Sequence, residues 1–156
     1  MMIKQRTLLD LGCGANKQHG FIGMDKRDIE GIDIVHDLEI FPWPVEDNSV
    51  AFIRCCHVIE HIKPWLQIEF MDECWRVLGH DDALAIATPY GGTPRYFQDP
   101  THCAPWVHVT PYYFVQGSPL YGIYEPKPWR IEGRVYWQPY GDLEVAFRSI
   151  KNGKSL

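Results

Sequence analysis

One short segment, CCHVIEHI at residues 55–62, carries the residue types and spacing of a metal-dependent hydrolase. On a helix, His57, Glu60 and His61 would form H-x-x-E-H, in which two histidines one turn apart bind zinc and the glutamate activates water. At the end of a buried strand, the same residues would instead form the floor of a ligand pocket. The neighbouring sequence has to decide between these two interpretations.

The sequence around this segment favours the strand. VAFIRCCHV at residues 50–58 is apolar and strand-like, and Pro64 follows His61 by three positions. On a strand, His57 and His61 are roughly 13 Å apart at their backbones, which is too far to share one ion comfortably. The favoured interpretation therefore contains no metal ligand. A zinc-binding protein that uses His57, His61 and His102 stays open as an alternative.

Five short apolar segments predict the strands that would position these side chains. They cover residues 7–14, 21–25, 32–37, 49–58 and 83–88. Most of them lack a clean alternation of apolar and polar residues, which indicates strands buried on both faces of a mostly parallel sheet. Acids and glycines collect at their carboxyl ends, where open α/β sheets bind ligands.

The second half predicts fewer regular elements. One helix is expected over residues 63–78, with Glu73 on its solvated face and a turn at residues 79–82. Residues 89–128 contain eight of the twelve prolines and have at most a short helix near residues 112–116. Beyond them, residues 129–137 and 142–150 predict a closing antiparallel pair, joined through Pro139 to Gly141.

Composition restricts the class of protein. A length of 156 residues fits one domain, and no apolar run predicts a membrane span or a signal peptide. The formal charge of −5 argues against nucleic acid as a partner. Five cysteines without regular spacing argue against a disulfide scaffold and predict a reducing, cytoplasmic setting.

Five motifs, taken in order, resemble those of the class I S-adenosylmethionine-dependent methyltransferases. They are LLDLGCG (8–14), IGMD (22–25), VHDLEIFPWPVEDNSV (35–50), HVIEHI (57–62) and ECWRVLGHDDALAIATP (73–89). Among these enzymes, the chain is most similar to a small, type-11-like subgroup. In that subgroup DLGCG is followed almost at once by GFIGMD, and a DPTH tract occurs later, here at residues 99–102.

The resemblance implies a single-domain Rossmann-like α/β fold over residues 1–156, with a mostly parallel sheet, reduced N-terminal helices and a C-terminal antiparallel pair. Residues 1–88 would be the cofactor-binding half and residues 89–128 the acceptor or lid region. Residues 129–150 would supply the closing strands. The implied activity is methyl transfer from S-adenosylmethionine.

The resemblance assigns cofactor-binding roles to eight residues of the first half. They are Asp10, Gly12, Cys13, Gly14, Asp25, Asp37, Leu38 and His57. The glycines would let the backbone approach the methionine part, and Asp10 would receive its ammonium group. Asp25 would accept the ribose hydroxyls, Asp37 and Leu38 would flank the adenine, and His57 would lie beneath the sulfonium.

For the chemistry, His102 is the predicted general base and Asp99 its orienting partner, because this fold usually builds its acceptor pocket after the fifth strand. A hydrogen-bonded organiser of the loop is an equal alternative for His102. The expected acceptor is an oxygen or nitrogen of a small molecule or saccharide. A non-catalytic partner subunit with the same fold is the alternative function.

The spacing also predicts a departure from the usual fold. Only eight residues separate Gly14 from Gly23, whereas a parallel crossover normally needs a dozen or more. The first helix must therefore shrink to about a turn, which leaves one face of the sheet thinly covered. A homodimer that covers this face is the predicted assembly.

Overall fold

The computed structural model describes residues 6–138 and 140–151, and its centre is one mixed sheet. The strands are β1 (Thr7–Leu11), β2 (Ile22–Asp25), β3 (Ile34–Val35), β4 (Val50–Cys56), β5 (Leu78–Pro89), β6 (Trp129–Ile131), β7 (Tyr136–Trp137) and β8 (Asp142–Ser149). Their order is β3-β2-β1-β4-β5-β8-β6, with β7 also paired to β8. Strands β1 to β5 run parallel to one another, as predicted.

The closing antiparallel strands are also confirmed. Strand β8 pairs with β5 along its length, and both β6 and β7 pair with β8. Strand β8 alternates buried and accessible residues, so Leu143, Val145 and Phe147 point into the core. Pro139, which the prediction placed in the connection, lies outside the described residues.

The predicted helix is present as α1 (Gln67–Val77), after a 3-10 turn at Pro64–Leu66. Phe70, Met71, Cys74 and Val77 are buried on its inner face. The assignment of Glu73 to the solvated face was wrong, because Glu73 is 7 % exposed. Its carboxylate points inward and accepts a hydrogen bond from the backbone N–H of Trp43, in the loop before β4.

The turn predicted at residues 79–82 was also wrong. Helix α1 ends directly in β5, which runs through these residues. The pairing register between β4 and β5 shifts here, from Val50 with Leu78 to Phe52 with Ala83. The extra residues bulge out with Asp81 at a φ of 63°, so polar residues typical of a loop fit inside a strand.

The connection from β1 to β2, whose residues are all described, contains no full helix, as expected from the eight residues between Gly14 and Gly23. Between β1 and β2 the chain forms a 3-10 turn at Gly14–Asn16. The segment 89–128 contains further short helices, namely α2 (Pro94–Phe97) and 3-10 turns at Thr110–Tyr113 and Tyr121–Ile123. No helix among the described residues has the length and apolar character that crossing a membrane requires.

Candidate functional site

A cleft of about 410 Å³ opens at the carboxyl ends of β1, β2 and β4. The strand order reverses direction at β1, the position where open α/β sheets bind ligands. Five of the eight residues with a predicted cofactor-binding role line this cleft: Gly12, Asp25, Asp37, Leu38 and His57. They come from four separate segments of the chain, and the fold brings them together.

Asp25 ends β2 as a buried, hydrogen-bonded carboxylate. Its Oδ2 accepts the backbone N–H of Gly14 at 2.9 Å, and its Oδ1 accepts the backbone N–H of Arg27 at 2.9 Å. Burial alone would raise the pKa of Asp25, but the hydrogen bonds from Arg27 and Gly14 outweigh it and hold the pKa below its usual value of 3.8. Asp25 is therefore an ionised hydrogen-bond acceptor in the cleft.

Gly12 and Gly14 of the glycine-rich loop both have left-handed backbone conformations. Gly12 has a φ of 57°, and a Cβ there would lie 2.6 Å from a methyl group of Val58. Gly14 has a φ of 52°, and a Cβ there would lie 2.5 Å from the guanidinium of Arg27. The positive φ favours glycine at both positions, and at Gly12 the close approach of Val58 also excludes a side chain, whereas the exposed end of Arg27 can move away from Gly14.

Asp10, Cys13 and Gly14 do not line the cleft. Asp10 is fully buried, where its Oδ2 accepts the N–H of Gln18 at 2.8 Å and its Oδ1 pairs with Arg54 at 2.9 Å. Burial raises the pKa of the Cys13 thiol and keeps it neutral. Asp10 thus fixes the shape of the loop from behind, and its contact with a ligand ammonium group stays a prediction.

His57 follows β4 and faces the cleft between two carboxylates. Its Nδ1 lies 3.5 Å from Oε1 of Glu60, and its Nε2 lies 3.5 Å from Oδ2 of Asp142. The Glu60 carboxylate raises the pKa of His57 above 6.5 against the effect of partial burial, and Asp142 acts in the same direction. Sequence reasoning missed Asp142, which reaches the site because β8 starts opposite Pro89 at the end of β5.

His102 and Asp99 are neighbours, but neither lines the cleft. The side chain of His102 is 7 % exposed, and its Nδ1 lies 2.6 Å from the carbonyl oxygen of Tyr96. Its Nε2 lies 3.7 Å from Oδ2 of Asp99. Thr101, between them in the sequence, does line the cleft.

The zinc alternative takes a different form in the structure. Strand β4 ends at Cys56 and a 3-10 turn covers Ile59–His61, so His57 and His61 do not share a helix face. The described residues instead bring Glu60, His61 and His102 together, with one potential ligand atom from each within 4.8 Å of the others. His57 is not a member of this group.

Three stacked aromatic rings, two of them exposed and one half-buried, lie near the end of β5. Tyr90, His108 and Trp137 lie with nearly parallel rings, and the hydroxyl of Tyr90 is 2.6 Å from Nδ1 of His108. Other aromatic residues of the 89–128 segment, such as Trp106 and Phe114, are buried in the core. The segment therefore both packs the domain and presents flat rings to solvent.

No protein-family model matches the chain. An alignment of 100 positions, which covers 54 % of this chain, is 29 % identical to a probable S-adenosylmethionine-dependent methyltransferase of Mycolicibacterium smegmatis. The match covers 38 % of that relative, so the chain spans little more than a third of its length.

Solved structures share the fold more completely. A SAM-dependent methyltransferase from Archaeoglobus fulgidus is similar with a TM-score of 0.66 and 17 % identity, over 92 % of this chain and 86 % of that chain. Phosphoethanolamine N-methyltransferase 1 of Haemonchus contortus, in complex with phosphoethanolamine and S-adenosylhomocysteine, gives a TM-score of 0.65 and 10 % identity. That likeness covers 97 % of this chain and 40 % of the other. The chain therefore has the Rossmann-like class I methyltransferase fold, as predicted.

Proposed function

We propose that this chain, which has the class I methyltransferase fold, transfers a methyl group from S-adenosylmethionine to an oxygen or nitrogen of a small molecule or saccharide. One observation carries the proposal: Gly12, Asp25, Asp37, Leu38 and His57 line a single cleft. The motif resemblance assigns a cofactor-binding role to each of them from sequence alone. Because the carboxyl ends of parallel strands share one edge of the sheet, the support comes from the residue types, which match the predicted roles at the positions where the strands end.

The cleft suits a nucleoside with an amino-acid tail. Its volume of about 410 Å³ falls in the ordinary range for small-molecule sites. In the proposal Asp25 accepts the ribose hydroxyls once the side chain of Arg27 turns aside. Leu38 packs on the adenine, and Asp37 accepts a hydrogen bond from the adenine amino group. The backbone at Gly12 leaves space for the methionine part.

The proposed chemistry needs alignment more than acid–base catalysis. The cofactor supplies an activated methyl group, and holding the acceptor in line with it can provide much of the rate enhancement. An oxygen or nitrogen acceptor must still lose a proton. His57, with 41 % of its side chain exposed and Asp142 behind it, is the histidine whose position in the cleft suits that task.

Calorimetric titration with S-adenosylhomocysteine tests the cofactor site. We expect binding in the micromolar range, about −8 kcal/mol, and a loss of at least about tenfold in Asp25→Ala, since charged hydrogen bonds to two hydroxyls disappear. Asp28→Ala is the matched control, because Asp28 is exposed on the same loop and does not line the cleft. Gly12→Val should also abolish binding, with circular dichroism confirming that the variant is folded.

The absence of binding at millimolar ligand, with the wild-type protein folded, would overturn the proposal. Binding that Asp25→Ala leaves unchanged would overturn the assignment of the cleft. Formation of S-adenosylhomocysteine from S-adenosylmethionine with a panel of small hydroxyl, amine and saccharide acceptors then tests turnover. Cofactor binding without turnover on any acceptor would favour the non-catalytic partner subunit.

A further inference from the structure

Three side chains meet at the edge of the cleft in a way that the proposed function does not require. Glu60, His61 and His102 each present a potential ligand atom, and these atoms lie within 4.8 Å of one another. The backbone fixes this arrangement, because the N–H groups of Cys103 and Ala104 both donate to the carbonyl oxygen of Glu60, at 2.8 and 3.1 Å. The segment that carries His102 is therefore held against the turn that carries the other two.

Glu60 is a fully buried carboxylate with one satisfied oxygen. Its Oε2 accepts the hydroxyl of Thr88 at 3.0 Å. Its Oε1 is also buried, and no group of residues 6–138 and 140–151 makes a hydrogen bond to it. The nearest ring nitrogens are Nδ1 of His57 at 3.5 Å and Nε2 of His102 at 4.0 Å. A buried carboxylate oxygen that accepts no hydrogen bond is costly, and a bound cation would remove that cost.

Both histidines are held with one ring nitrogen available. Nδ1 of His102 lies 2.6 Å from the carbonyl oxygen of Tyr96, which can only accept, so in the neutral imidazole this nitrogen carries the proton and Nε2 has the lone pair. Nδ1 of His61 lies 3.0 Å from the hydroxyl of Thr101, whose own hydrogen goes to Asp99. His61 therefore donates from Nδ1 and also keeps a lone pair on Nε2. Metal-binding histidines are commonly oriented by this kind of outer hydrogen bond.

We propose that Glu60, His61 and His102 bind a divalent transition-metal ion, with Zn²⁺ as the expected species. Two imidazoles and one carboxylate form a familiar donor set for Zn²⁺ and its first-row neighbours, but not for Mg²⁺. Ligand atoms around a tetrahedral ion are about 3.4 Å apart, so separations within 4.8 Å need to shorten by at most about 1.4 Å. The ion would reach the site from the cleft, which His61 also lines.

This proposal changes the role of His102. A histidine that gives its Nε2 lone pair to a metal cannot use the same lone pair to take a proton from an acceptor. His102 is then a ligand rather than the predicted general base, and Asp99 orients His61 through Thr101. The proposal depends on side-chain geometry alone, so it stands whether or not the chain proves to be a methyltransferase.

Metal titration of tag-free, chelator-treated protein tests the site directly. We expect one equivalent of Zn²⁺ to bind in calorimetry, and Co²⁺ to give visible d–d bands that Zn²⁺ abolishes and excess Mg²⁺ does not. His61→Gln and His102→Gln should each weaken binding by about 100-fold or more, since losing an outer partner alone costs 10- to 100-fold. His19→Gln is the matched control, because His19 is an exposed histidine outside the group.

His61 is exposed, so His61→Gln should stay folded even if substitutions of buried Glu60 do not. Stoichiometric binding that survives both histidine substitutions, or no binding at micromolar Zn²⁺, would overturn the proposal. Titration with S-adenosylhomocysteine before and after metal loading separates the two sites. Loss of metal binding with intact cofactor binding, or the reverse, shows which proposal has failed.

Discussion

Arg27 covers the carboxylate that the proposed cofactor needs. Its guanidinium lies 3.2 and 3.4 Å from the two oxygens of Asp25, and 60 % of its side chain is exposed. Because the guanidinium is mostly exposed, water can solvate it when it leaves the buried carboxylate, so this ion pair can be displaced. Arg27 therefore competes with a bound ribose for the same acceptor atoms.

Replacing Arg27 should consequently improve binding of the cofactor product. We expect Arg27→Gln to bind S-adenosylhomocysteine about two- to fivefold more tightly, because Asp25 no longer has to release its ion-pair partner. Lys26→Gln makes the same charge change on the same cleft without touching Asp25, and it should leave the affinity nearly unchanged. Weaker binding by Arg27→Gln in calorimetry would show instead that Arg27 contacts the ligand.

For single residues, the sequence identified members of the cleft where a motif specifies one position. The cleft collects Gly12, Asp25 and Asp37 because each follows a parallel strand, and those strand ends necessarily share one edge of the sheet. The same reasoning could not predict that Asp142 belongs to the site. Its approach to His57 depends on an antiparallel register that no local pattern specifies.

Between elements, a partly buried ion pair within helix α1 binds the loop before β4. Glu73 accepts the N–H of buried Trp43 at 2.6 Å and pairs with Arg76 at 2.6 and 2.8 Å. The guanidinium of Arg76 also bonds the carbonyl oxygen of Trp43 and the carboxylate of Asp47. Helix, loop and ion pair therefore form one connected unit.

Removing Glu73 should destabilise this unit strongly. We expect Glu73→Ala to lower the free energy of unfolding by about 2–4 kcal/mol, because it leaves a buried N–H unsatisfied and a half-buried guanidinium short of partners. Urea denaturation measures the change. Glu69→Ala, at an exposed position of α1, should change stability by less than about 0.5 kcal/mol. Equal losses of stability in Glu73→Ala and Glu69→Ala would contradict this structural role of Glu73.

The elements also show why some predictions failed. The first crossover was predictable because eight residues cannot hold a full helix and return to a parallel strand. The polar run at residues 79–82 was misassigned because tertiary contacts override its loop-like composition. Arg148 donates to the carbonyl oxygen of Asp81 at 2.9 Å, and Ser149 donates to that of Gly79. Such long-range pairings leave no periodic signal in the sequence.

For the whole molecule, the two faces of the sheet are unequally covered. The inner face packs Ile53, Cys55 and Leu84 into the same core as α1. Strand alternation turns Leu8, Phe52 and the small side chains of β5 to the opposite face. There Leu8 is 38 % exposed, and the short 3-10 turn at Gly14–Asn16 replaces a crossover helix.

We expect a second copy of the chain to cover this face. A twofold dimer buries the same surface around Leu8 on both copies, which compensates for the missing helix. Light scattering after size exclusion should then give twice the monomer mass of 18.1 kDa. Leu8→Lys should shift the protein to monomer, since it places two like charges in a self-complementary interface, whereas Ile123→Lys, an equally drastic change at another exposed apolar residue, should not. A monomeric wild-type protein at high micromolar concentration would show that the thin face is tolerated in water, and the sheet would then have to rely on its strand pairing and on α1 alone.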